Sequence, residues 1–291
     1  MQERLVDRLK KDSEIKLFEE LDFRRAIIKN GSAYLDDFCF DDLDIFFWLG
    51  ELGREGRNSF PMEVLRAIAS KVRVVNNPLA FEIGLDKFKS LELLRRNGVA
   101  VPSIALLSHG GVNQMKKVFR DWNSDVVIKP RMGSYGIGIV RIREDEQLLV
   151  DTLDYASHNN IHYIEQFIPN DISEWIGINV INGSVIYGYG KEGSQIKGWK
   201  ISDREKKGGH MLLKEPNRQQ RDIALRVGRI VGLDLYGVDI IKGHDGRYYV
   251  VDVNTFPGLY PELLEKAECN FYEEVVRLLK QDSNSDTGNS E

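Results

Sequence analysis

Residues 235–254 read LYGVDIIKGHDGRYYVVDVN. Two apolar, β-branched arms flank His244-Asp245-Gly246, the composition of a β-hairpin with a tight turn. Asp239 lies in one arm and Asp252 in the other. Asn254, two residues beyond Asp252, shares its face because side chains alternate along a strand. Two carboxylates and an amide oxygen therefore converge. Hard oxygen donors of this kind suit magnesium, which takes one or two carboxylates and completes its octahedron with phosphate oxygens and water. The competing reading is a solvent-facing Asp239 and a turn that starts at Asp252-Val253-Asn254.

Two earlier segments bear on that choice. Residues 126–140, VVIKPRMGSYGIGIV, put Lys129 at the end of an apolar strand and Gly133, Ser134, Gly136 and Gly138 in a loop before a second strand. Glycine permits positive φ and close backbone approach, so amides there can face phosphate oxygens while Lys129 adds a point charge. The stretch is neither a Walker loop, which needs Gly-Lys-Ser/Thr entering a helix, nor a dinucleotide fingerprint, which needs a following helix. A glycine-rich hairpin tip explains the same residues without a ligand. Residues 163–168, YIEQFI, form an apolar strand with Glu165 and Gln166 in its middle. As a linker between lobes, Glu165, Gln166 and Phe167 would offer backbone groups to an adenine edge, and Glu174 would accept from ribose hydroxyls. As an amphipathic strand they would do neither.

Around these segments the chain reads as a multi-lobed protein. Its 291 residues are 42% hydrophobic, enough for more than one packing unit. A helix is expected near residues 2–11, a hairpin at Asn30-Gly31, a buried strand in LDIFFWLGELG, and a helix over Phe60–Ala69 behind Ser59 and Pro61. A helix from Asp86 to Arg96 stops at Asn97-Gly98, and a further Asn-Gly turn lies at Asn182-Gly183. The expected units are 1–79, 80–164, 165–280 and a polar tail, 281–291. With 40 Lys+Arg against 45 Asp+Glu, the net charge of -5 provides no field to hold nucleic acid. Cys39 and Cys269 are far apart and form no metal-binding pair, and no stretch approaches 18 consecutive apolar residues. A cytoplasmic protein with no membrane partner is the expectation.

Taken in order, the glycine loop, the YIEQFI strand and the acidic hairpin resemble the ATP-grasp superfamily over roughly residues 80–280, most closely the RimK-type amino-acid ligases. The resemblance implies a mixed α+β and α/β architecture: two α+β lobes that clamp ATP, preceded by a small α/β domain. It implies that Lys87 and Lys129 are the phosphate lysines and Gly133–Gly138 the phosphate loop. Glu165, Gln166 and Phe167 would form the adenine hinge, with Glu174 at the ribose. Asp239, Asp252 and Asn254 would hold magnesium, with manganese as the alternative ion. Lys129, Arg141 and Lys200 would be catalytic. In the implied reaction the γ-phosphoryl of ATP activates a carboxylate as an acylphosphate, and an amine attacks it to form an amide. The partners would be glutamate or another amino acid and a carboxylate-bearing peptide, protein tail or coenzyme; self-association is left open. A kinase of the same fold and a non-catalytic ATP-binding regulator are the alternatives.

The departures are specific. Asp252 stands where the family has Glu and, one methylene shorter, would bind the metal through one oxygen. The family's Asp-x-Arg after the hinge is replaced by EWIGINV, leaving Lys191 or Arg204 to supply the charge. In WKISDREKKGG, residues Trp199, Lys200, Lys207, Gly208 and Gly209 match the acceptor-side pattern loosely, and its Asn is missing. The chain begins in a helix where the family has a strand, so that strand is either lost or lies upstream.

Overall fold

The computed structural model describes residues 2–49, 59–108, 110–132, 138–156, 161–192, 195–196, 200–201 and 210–281. Gly133, Ser134, Gly136, Trp199, Arg204, Lys207, Gly208, Gly209 and the tail beyond 281 lie outside the described residues.

The amino-terminal unit comprises α1 (Gln2–Lys10), the antiparallel strands β1 (Ile27–Lys29), β2 (Ser32–Leu35) and β3 (Phe38–Cys39), the strand β4 (Ile45–Phe47), α2 (Phe60–Ala69) and β5 (Arg73–Val75). Asn30 and Gly31 adopt φ of +51° and +81°, the left-handed pair that a two-residue hairpin turn requires, and Lys29 pairs with Ser32 across it. β4 and β5 pair in parallel beneath α2, and Phe40, Phe46, Trp48, Met62, Leu65 and Phe81 form their core. The next helix, α3 (Pro78–Leu85), contains the expected boundary at residue 79. Its apolar residues surround the axis, as in a helix buried on several sides. Phe81 packs into the amino-terminal core and Ala80 into the core of the largest sheet. Asn76 strengthens this junction: its amide donates to the carbonyls of Leu235 (2.6 Å) and Thr255 (2.9 Å) and accepts from the N–H of Asp234 and Leu235.

After α4 (Lys87–Arg96) come β6 (Ile104–Ser108), α5 (Val112–Asp121), β7 (Asp125–Ile128), β8 (Val140–Arg143), α6 (Glu146–Ala156) and β9 (Ile161–Gln166). The strands form an antiparallel sheet in the order β6-β9-β7-β8. Strand alternation turns Val126, Ile128, Ile142 and Ile164 toward α5 and α6, where they pack with Met115, Phe119, Leu149 and Leu153. The opposite face carries Val127, Arg141, Tyr163 and Glu165. The expected boundary at 164/165 falls within β9.

The largest sheet is antiparallel in the order β14-β11-β10-β15-β16. It is built from β10 (Ile176–Ile181), β11 (Ser184–Glu192), the short pair β12 (Gln195–Ile196) and β13 (Lys200–Ile201) outside the sheet, β14 (His210–Leu213), α7 (Arg218–Val231), β15 (Leu235–Lys242) and β16 (Tyr248–Asn254). The helices α8 (Pro261–Lys266) and α9 (Phe271–Lys280) follow. One face buries Ile176, Ile178, Val238 and Ile240 against α4 and α7. The other packs Trp175, Tyr187, Tyr189 and Ile241 in a core shared with α1, α8 and α9. Among the described residues no helix is long and apolar enough to cross a membrane.

Candidate nucleotide and metal site

The hairpin β15–β16 sets Asp239 directly opposite Asp252 and Gly237 opposite Asn254. β10 extends these rows, with Gly177 beside Asp239 and Asn179 beside Gly237. Register slips by one residue after Asp239, because Ile240 pairs with Val250, and Val251 is the extra residue of a bulge. The Nδ2 of Asn254 donates to Oδ1 of Asp239 at 3.2 Å. Burial pushes the Asp239 carboxyl up to about 7; the charge of Lys191 opposes that, Asp252 adds to it, and Lys87 and Lys129 oppose it. Paired carboxylates that resist joint ionisation are chemically suited to a divalent cation, and rotation of the Asn254 amide would present its oxygen.

Lys87 opens α4. Asp86 caps that helix by accepting from the N–H groups of Phe88 and Lys89, and it also forms an ion pair with Arg131. The Lys87 N–H donates to the Arg131 carbonyl at 2.9 Å, tying α4 to the segment that enters the glycine loop. Its Nζ lies 3.0 Å from Asp252 Oδ1. Lys129 follows β7; its Nζ is 2.7 Å from Glu165 Oε2 and 3.2 Å from the carbonyl of Val251, the bulge residue. The two phosphate-lysine candidates thus meet the acidic hairpin from two directions.

The hinge differs from its expected form. Glu165 is 2% exposed, binds Lys129 and accepts from Tyr163 Oη at 2.7 Å. Burial and the Glu165 charge raise the Tyr163 phenol well above its ordinary range. Glu165 is therefore an anchor for Lys129, since a carboxylate so buried needs a cation. The Gln166 N–H donates to the Ser103 carbonyl (2.8 Å) and the Phe167 N–H to that of Asp125 (3.0 Å). Both donors are used within the sheet, so neither can read a base edge. Arg141, the expected catalytic arginine, makes two hydrogen bonds to Asp125, at 2.7 and 2.6 Å, and stacks 3.5 Å from the Phe167 ring centroid. Gly138 adopts φ of +76°, as a loop glycine can. Glu174 is exposed at the end of the 3-10 turn Ile172–Glu174, just before β10. Lys200 pairs with Ile196 through its backbone, and its side chain lies outside what is described.

Two further groups border this face. The Nζ of Lys191 stands 4.2 Å from the Trp175 ring centroid. The carbonyl of Gly258, in the loop after β16, accepts from Asn179 Nδ2 (2.8 Å) and Tyr187 Oη, while the Tyr260 N–H donates to Tyr187 Oη at 3.1 Å. Sequence reading named Lys191 only as a stand-in for the missing arginine and overlooked Tyr163, Asn179 and Tyr187. The alternation of Tyr187, Tyr189 and Lys191 along β11 was the available signal.

Residues 84–277 match the family described as the RimK-like ATP-grasp domain. A protein of Haemophilus influenzae (strain PittEE) named "Probable alpha-L-glutamate ligase" is 32% identical over 193 residues, 66% of this chain and 62% of that protein. The chain therefore spans less than two thirds of that relative's length. One of the same name from Vibrio vulnificus (strain YJ016) is 27% identical over 223 residues, 74% of this chain and 71% of that protein. Among solved structures, the ATP-grasp ligase PsnB with its minimal precursor superposes at a TM-score of 0.69, with 16% identity over 95% of this chain and 93% of that one. The D-alanine-D-alanine ligase of Bacillus anthracis gives 0.63, with 19% identity over 82% and 79%. These likenesses establish the ATP-grasp fold.

Proposed function

Because this chain belongs to the RimK-like ATP-grasp family, we propose that it is an ATP- and magnesium-dependent carboxylate–amine ligase releasing ADP and phosphate. The observation that carries the reading is the meeting of Asp239 and Asp252, opposite one another on β15 and β16, with Lys87 and Lys129 from outside that sheet. With magnesium between the carboxylates, the two lysines and the ion would offset the charge of a triphosphate, and phosphoryl transfer asks a protein chiefly for positioning and charge.

The residues divide the work as follows. Lys87 and Lys129 bind phosphate oxygens, and Glu165 with Tyr163 keeps Lys129 in place. With the Gln166 and Phe167 N–H groups taken, the base edge is read by hinge carbonyls and the N–H of Ile168. Glu174 accepts from the ribose. Gly133–Gly138 is assigned to the phosphates on its sequence alone, and water, the competitor of the amine for an acylphosphate, must be kept from the site. Asp239, Asp252 and the Asn254 amide would hold magnesium, which would supply charge neutralisation at the transferring phosphate. Arg141 orders the hinge through Asp125 and Phe167. The acceptor lies toward Lys200 and the loop around Gly258. The amine substrate is an amino acid; the name of the Haemophilus relative makes glutamate the first to try. A peptide, protein tail or coenzyme supplies the carboxylate. A cytoplasmic setting, with ATP at hand and Cys39 and Cys269 reduced, suits this chemistry.

The test is ADP and phosphate release screened over amino acids and carboxylates, with the product mass identifying an amide. Phosphate retained on the product would replace the ligase with a kinase. Magnesium-ATP at 100 times its dissociation constant should stabilise the fold by about 2.7 kcal/mol; no shift would remove the nucleotide reading.

A further inference from the structure

Three consecutive residues at the start of α4 each reach a different part of the molecule. The Asp86 carboxylate meets Arg131, at the entrance to the glycine loop, and the Lys87 ammonium meets Asp252 of the acidic hairpin. The Phe88 ring lies 6.2 Å from that of Tyr163, the phenol that donates to Glu165. The rest of the helix belongs to one side: Leu91 and Leu94 are buried with Ile178 and Val238 of the largest sheet. Lys129 belongs to the other, because Val126 and Ile128 of β7 pack with α5 and α6. Packing inside either core therefore leaves the distance between Lys87 and Lys129 to the contacts that cross from one to the other.

Arg131 supplies two of these. Asp86 is 1% exposed, and its Oδ1 accepts from the N–H of Phe88 (3.1 Å), the N–H of Lys89 (3.3 Å) and Nε of Arg131 (3.2 Å), while its Oδ2 accepts from Arg131 Nη2. The Arg131 carbonyl accepts in turn from the Lys87 N–H. One residue is thus gripped by its backbone and by its side chain, and the planar guanidinium engages both carboxylate oxygens at once. Pro130 stands between Arg131 and Lys129. Its ring locks its own φ and disfavours helical backbone at the residue before it, so a constraint on Arg131 is passed to Lys129.

We propose that Arg131, clamped on Asp86, is a positioning residue that sets Lys129 against Lys87, so that both ammonium groups meet one phosphate chain. Asp86 and Arg131 act through the two lysines and do not themselves touch the nucleotide. The inference rests on the nucleotide reading above and adds to it how lysines from two separate cores are brought to a common spacing.

The experiment is calorimetric titration of the full chain with magnesium and the non-hydrolysable analogue AMP-PNP, with adenosine affinity read by competition and thermal unfolding of each apo variant as a control. The informative variant is Asp86→Asn/Arg131→Met. An asparagine oxygen still accepts from the first N–H groups of α4, and no buried charge is left alone, so apo unfolding should stay close to wild type. AMP-PNP should bind about tenfold more weakly, and adenosine, which offers the lysines no phosphate, should bind as before. Asp86→Asn and Arg131→Met should each lose as much as the pair, since either one breaks the same clamp. Wild-type affinity for AMP-PNP in the double variant overturns the proposal. Equal losses for adenosine and AMP-PNP overturn it too, because they would make the clamp a support of the fold alone. Weaker binding in Arg131→Met with unchanged or tighter binding in Asp86→Asn would make Arg131 itself a phosphate ligand, which also overturns it. A wild-type chain that binds AMP-PNP no more tightly than adenosine removes the nucleotide reading itself, a result distinct from the others.

Discussion

Two carboxylate sites lie on either side of Lys129, and they are built on opposite terms. Glu165 is closed: 2% exposed, 2.7 Å from an ammonium and 2.7 Å from a phenol, it has its charge answered within the protein. The Asp239–Asp252 pair is answered only in part: both residues are half-buried, they stand opposite one another, Lys87 Nζ lies 3.0 Å from Asp252 Oδ1 alone, and burial raises the carboxyl of Asp239. A completed ion pair stabilises one arrangement of the chain, whereas crowded carboxylates weaken the fold until a cation arrives. Glu165 therefore serves the architecture, and Asp239 is the residue our proposal gives to the ligand.

The largest effect should come from breaking the closed site. Glu165→Ala leaves Lys129 buried without its carboxylate, and losing one partner of a buried pair costs about 3–5 kcal/mol. Denaturant unfolding of the apo protein checks this; a loss below about 1 kcal/mol would mean that Glu165 is more solvated than its ion pair requires.

Asp239→Asn should act in the reverse sense. It removes a crowded carboxylate, so apo stability holds or rises, while the stabilisation of about 2.7 kcal/mol by saturating magnesium-ATP disappears. The pH dependence carries the same contrast. Between about 4 and about 7 the folded state keeps a proton on Asp239 that the unfolded chain has released, so this residue's contribution to stability falls as pH rises through that window. Asp239→Asn should flatten that part of the profile in apo unfolding measurements. A wild-type profile already flat there would show that Asp239 is ionised without a metal.

The same contrast explains what the sequence could and could not disclose. Alternation along β15 and β16 assigned Asp239, Asp252 and Asn254 to one face, and the hairpin's own turn aligned them, so the convergence was local and legible. Asn30-Gly31 and Asn182-Gly183 were legible for the same reason, a backbone requirement met by adjacent residues. Glu165 was equally visible as a polar residue in an apolar strand, but its meaning depends on Lys129 across β7, and a single strand's pattern does not name its partner. The partners of the Gln166 and Phe167 donors were not legible, because Ser103, just before β6, and Asp125, in β7, lie far away in the sequence. α3 escaped notice because a helix wedged between two cores has no polar face to mark its period. Lys191 needed both alternation along β11 and the register that brings Trp175 beneath it.

Arg141 gives the smallest expected effect and the finest division between anchor and ligand group. Its in-plane donors meet Asp125 and one face of its guanidinium covers Phe167, a geometry that a lysine cannot reproduce. Arg141→Lys should therefore cost about 1 kcal/mol of apo stability, the scale of a partly exposed bidentate pair. The magnesium-ATP shift should be largely retained, because the charge is held by Asp125 and is not presented to phosphate. Loss of that shift with apo stability intact would move Arg141 from the hinge's support into the set that binds the nucleotide. It would also mean that Asp125 releases the guanidinium when ATP is bound.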